Sequence, residues 1–160
     1  MVLTRSRSLC TAAVLIACCA PLASTAEPVV FVGKCFAVRS FWAGKVVLSE
    51  GDFQTLRSVR GNIPAVVAVR TLGGRVQEPV PVNALVIGGV VFTEGQTALI
   101  IATPISENLL RVDRKEHYYP IHSDPATGEA FIQLGTQREP LESFLERVVG
   151  RIKDDSGAAR

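Results

Sequence analysis

Apolar and polar positions alternate along this chain in two rhythms. Between Val29 and Leu134 short Val-, Ile- and Phe-rich runs are separated by Gly, Pro and Asp signals, the pattern of strands joined by turns. After Pro140 the rhythm changes. Leu141, Phe144, Leu145, Val148, Val149 and Ile152 fall at i, i+3, i+4, i+7, i+8 and i+11, which makes one apolar stripe on a helix near 139–153. Pro140 suits its first turn. Glu142 and Glu146 precede Arg147, Arg151 and Lys153, as the helix dipole favours.

The predicted strands are Val29–Arg39, Lys45–Leu48 after a turn at Ala43-Gly44, and Ala65–Leu72. Gly73-Gly74 suits a two-residue hairpin turn. The following Val76–Val82 loses ladder donors at Pro79 and Pro81, so it reads as an edge or an irregular segment. Ala84–Phe92 and Thr97–Thr103 are apolar at both parities, so both are placed at the centre of the sheet with two covered faces. Leu109–Asp113, Glu116–Ile121 and Glu129–Leu134 follow, the last two joined by the turn Asp124-Pro125-Ala126-Thr127-Gly128. A short helix is predicted near 50–60. Ser49 to Asp52 would cap it, Phe53, Leu56 and Val59 would face inward, and Gly61 would end it. The sum is an α+β domain: an antiparallel or mixed sheet of roughly six to eight strands with the C-terminal helix packed on it. The alternative is a partly closed β-barrel with a helical lid. Asn83, Glu94, Gln96 and the breakers between 88 and 104 argue against a membrane span through the apolar centre.

The N-terminus changes the arithmetic. Arg5 and Arg7 precede the uncharged stretch Leu9–Ala20, then Pro21 and the small residues Ala23-Ser24-Thr25-Ala26. This is the pattern of a secretory signal, residues 1–26, cleaved after Ala26. A competing route is lipidation at Cys18, because Leu15-Ile16-Ala17-Cys18 resembles a bacterial lipobox. The first route leaves Cys35 alone, and the second leaves Cys19 and Cys35 for one disulfide. Neither is a disulfide scaffold, so a hydrophobic core must hold the domain. Of the 160 residues, 17 are Lys or Arg and 15 are Asp or Glu. Cleavage after Ala26 removes two arginines and no acid, which leaves a neutral chain. That balance argues against a nucleic-acid partner. A single globular domain, 27–154, with a frayed tail at 155–160 is expected.

Candidate chemistry concentrates between Arg111 and Asp124, which hold His117, His122, Tyr118 and Tyr119. A zinc site would use His117, His122 and either Glu116 or Asp124. The histidines lie five apart, so in a continuous strand they face opposite sides. His122-Ser123-Asp124 is contiguous, which is poor geometry for a triad. A Cys35–His117 or Cys35–His122 dyad would need a low thiol pKa, which the apolar setting of Cys35 opposes. Tyr118 and Tyr119 are candidate contact aromatics, of which alternation exposes one. Arg57, Arg60, Arg70 and Arg75 form a mildly basic run that reads as a solvated face. The sequence assigns no catalytic, metal or cofactor-binding residue and no cofactor. The expected function is that of a small exported, non-enzymatic protein that binds a protein or envelope partner, as an inhibitor, immunity-type or assembly-accessory factor. The alternatives are an extracytoplasmic hydrolase using His117 or His122, and an envelope lipoprotein anchored through Cys18.

Overall fold

The computed structural model describes residues 26–157. The signal segment up to residue 25, the Cys18 motif and the last three residues lie outside the described residues. Ten strands and one helix follow in order: β1 Val29–Ala43, β2 Val46–Arg60, β3 Val66–Leu72, β4 Gly74–Val76, β5 Val82–Ala84, β6 Thr97–Ser106, β7 Leu109–Arg111, β8 Tyr118–Ser123, β9 Ala130–Leu134, β10 Gln137–Pro140 and α1 Leu141–Gly157. Eight strands form one mixed sheet in the order β1-β2-β3-β7-β6-β8-β9-β10, and β4 pairs with β5 alone. The α+β class is therefore observed.

β1 also pairs with β6, Val29 opposite Ala102 to Lys34 opposite Thr97, so the ladders run from β1 through β2, β3, β7 and β6 back to β1. Only the β3–β7 ladder in this circuit is parallel. The sheet as a whole is not a closed barrel, because β8, β9 and β10 run on from β6 outside the circuit. Alternation along β1 and β6 explains two cores. Val29, Phe31, Ile100 and Ala102 face the inside of the circuit with Phe53, Val67 and Val69. Val30, Val32 and Leu99 face the other way and are covered by Phe144, Leu145 and Val148 of α1 and Ile132 of β9. The helix thus covers the outer face of β1 and β6 and does not close the circuit's end as a lid.

Three expectations are corrected. The predicted helix at 50–60 lies entirely within β2. Ser49 pairs with Ser40 and Thr71, and Phe53 with Cys35 and Val67, so two flanking ladders outweigh a spacing that also fits one helical turn. Gly73-Gly74 does not fold β4 back onto β3. Its positive φ values of 90° and 131° divert the chain to a separate hairpin with β5. Ala84–Phe92 is no central strand: β5 ends at Ala84, and the chain to Phe92 lies outside the sheets. β10 lacks apolar alternation, so the patterning gives no sign of it. The centre of the sheet is β6, as Thr97–Thr103 predicts, and the Asp124–Gly128 turn joins β8 to β9. α1 follows Pro140 directly and runs past the expected end, through residues 155–157.

Candidate functional site: a cleft at the mouth of the strand circuit

A cleft of about 290 Å³ opens where the β4–β5 hairpin and the 85–92 segment cross one end of the circuit. Its base is set by two serines. Ser40 and Ser49 are opposite one another on β1 and β2, and their hydroxyls lie 2.8 Å apart in a hydrogen bond. Gly74 seals them in: a Cβ there would overlap both Oγ atoms, so only glycine lets β4 pass this close. The Gly73 N–H donates to the Val47 carbonyl at 2.9 Å and fixes the departure of the chain from β3.

The 85–92 segment folds around its own turn, where the Gly89 N–H donates to the Val86 carbonyl at 2.8 Å. That turn sorts its apolar residues. Val90 and Phe92 drop into the interior, where Phe92 meets the rings of Phe53 and Tyr118 edge-on at 5.4 and 5.5 Å. Leu85, Ile87 and Val91 stay outside, at 83%, 104% and 75% exposure. Val80 and Leu72 are also exposed. Of these, Leu72, Leu85 and Val91 line the cleft and Ile87 lies in the segment between the last two, an arrangement typical of contact surfaces.

Beside the cleft, the outer face of β1–β3 carries a charged row. Arg39, Glu50 and Arg70 are cross-strand neighbours. Glu50 is buried, and Arg70 grips it from two nitrogens at 3.0 and 2.7 Å. Arg39 donates to Glu50 and, at 2.9 Å, to Asp52. The Glu50 carboxylate holds the Arg39 guanidinium more firmly charged than usual. Two cations thus meet two anions, and the row neutralises itself. The basic run read from the sequence is similarly dispersed. Arg57 pairs with Glu142 of α1 at 2.6 Å, Arg60 with Glu27 at 3.2 Å, and Arg70 with Glu50. Arg75, which lines the cleft, has no ion pair among the described residues.

The residues singled out between 111 and 124 are not brought into one site. His117 ends a 3-10 turn, Lys115–His117. His122 lies exposed on β8 and stacks on Phe131, with ring centres 5.5 Å apart. Tyr118 faces the inner core, where burial pushes its phenol pKa up and its O–H donates to Gln96 at 3.1 Å. Tyr119 packs on Phe144 of α1 at 4.7 Å. Alternation thus sends the tyrosines to different cores and exposes neither. The Asp124 carboxylate accepts the backbone N–H groups of Ala126 and Thr127, the work of a turn residue. Cys35 is fully buried, and desolvation raises its pKa, which favours the thiol over the nucleophilic thiolate. Among the described residues no three His, Cys, Asp or Glu side chains gather as a metal site, and no helix is long and apolar enough to cross a membrane.

The cleft is not legible in the sequence, because Ala84–Phe92 reads as a strand inside the sheet. The signal was present in the bracketing Pro79, Pro81 and Gly88-Gly89, which break that run into pieces too short for a central strand. Comparison of the chain with protein-family models, with curated proteins and with solved structures gives no match.

Proposed function

We propose that this is a small exported, non-enzymatic binding protein, and that it contacts a protein or envelope partner through the rim of the cleft. The observation that carries this reading is the cluster of exposed Leu85, Ile87 and Val91 around the cleft that Val90 and Phe92 anchor. Such side chains would add their apolar area to a complex at little ordering cost, because the 85–92 segment is already held by its own turn and by the interior. Export is supported by the Arg5/Arg7, Leu9–Ala20 and Ala23–Ala26 pattern, with Leu15–Cys18 favouring lipid anchoring as the second route. The intact mass of the exported chain separates cleavage after Ala26 from lipidation at Cys18.

The tagged full chain, produced in its native host, tests the binding reading by capture from the envelope fraction. Leu85→Asp/Ile87→Asp should keep the fold, since both side chains are solvent-exposed, and should lose at least about tenfold of the captured partner. Equal capture by the wild type and this variant would remove the rim from the account. His117→Ala/His122→Ala should retain full biological activity. Its loss from a folded variant would favour the hydrolase alternative.

A further inference from the structure

We propose that the cleft itself is a binding site for a small amphiphilic carboxylate, an alkyl chain ending in one anionic head. This goes beyond partner binding at the rim and does not depend on it. The volume of about 290 Å³ lies at the lower bound of small-molecule sites, about 300 Å³, so the ligand must be small. Val38, Leu72, Val90 and Phe92 supply an apolar wall that an alkyl body can cover.

A few polar residues line the same cleft. Arg75 is the one charged side chain among the described residues lining the cleft, and no acid lines it. It has no ion pair among the described residues, so a carboxylate would meet a guanidinium with no competing acid partner. Asn83 sits opposite Arg75 in the β4–β5 ladder and adds an amide donor. The Ser40 and Ser49 hydroxyls bond each other under Gly74 and form part of the cleft's base. An apolar wall with one cation and a neutral amide beside it is complementary to an amphiphilic anion. It is not complementary to a cation, nor to a wholly polar ligand.

The full chain is titrated with decanoate, with decan-1-ol and with acetate. The readouts are backbone amide shifts and the fluorescence of Trp42, the single tryptophan, which lies two residues from Ser40 on the same face of β1. Decanoate should saturate with shifts centred on 72–76 and 82–92. Decanol should bind about fivefold more weakly and acetate not measurably. Arg75→Gln replaces an exposed side chain and should erase the preference for decanoate over decanol. Absence of saturable decanoate binding, shifts centred elsewhere, or a preference that survives Arg75→Gln would each overturn the assignment. Ile87→Asp should leave decanoate binding intact, because Ile87 does not line the cleft. Unchanged partner capture by Ile87→Asp with retained decanoate binding therefore counts against the rim alone, and lost capture by Ile87→Asp with no saturable decanoate binding to the wild type counts against the carboxylate site alone.

Discussion

At the scale of single residues, Glu50 bears the largest electrostatic responsibility. Its buried carboxylate is satisfied by two arginines from neighbouring strands. Glu50→Ala should lower the free energy of unfolding by about 2 kcal/mol, less than a fully buried pair would lose, because both arginines can rehydrate. Urea denaturation measures this, and Glu50→Gln, which keeps an acceptor, should lose less. Cys35 makes a kinetic prediction. Burial favours its protonated thiol, so an aromatic disulfide reagent should label it at the rate of global or local opening and not at that of an exposed thiol. Rapid labelling in native buffer would contradict its position in the inner core.

At the scale of elements, α1 is the part most legible in the sequence. Its stripe depends only on local spacing, and Phe144, Leu145 and Val148 occupy the places that stripe assigns. Phe144 is 1% exposed and lies between Tyr119 and Arg147, so Phe144→Ala should cost about 3 kcal/mol in urea denaturation. The joint between β10 and α1 is held by Glu139 and Arg147, whose Nε and Nη2 donate to the carboxylate at 3.2 and 2.6 Å. The hydrogen bonds from Arg147 lower the Glu139 pKa from 4.5. A carboxylate depressed in the folded state stabilises the fold above its unfolded pKa, and the contribution disappears as pH falls through the folded value. Stability should therefore decline from about pH 4.5 downward, and Glu139→Gln should remove that part of the slope. β2 was illegible for the opposite reason. Phe53, Leu56 and Val59 fit a helical turn locally, and only pairing with residues of β1 and β3 decides for strand. The 84–92 run failed similarly: its hydrophobicity marks a contact-forming segment, but composition does not say whether the contact is internal.

At the scale of the whole molecule, class and topology separate. Mixed α+β composition follows from patterning, whereas the return of β6 to β1 and the parallel β3–β7 pairing are long-range choices that no local period encodes. The cleft belongs to this scale. It exists because Gly73-Gly74 sends β4 away from β3 and across the end of the circuit, carrying the 85–92 segment with it. The histidine region, richest in chemical potential by composition, is divided by the same topology between a 3-10 turn, two cores and an exposed strand face. The molecule is thus organised with a covered face under α1 and an uncovered apolar rim at the circuit's mouth. Site-specific photo-crosslinking on native envelopes tests that organisation most directly, with benzoylphenylalanine placed at Leu85, at Ile87 or at His122. The account predicts one discrete adduct from the first two positions and none from the third. No adduct at Leu85 and Ile87, or an equal adduct at His122, would contradict it.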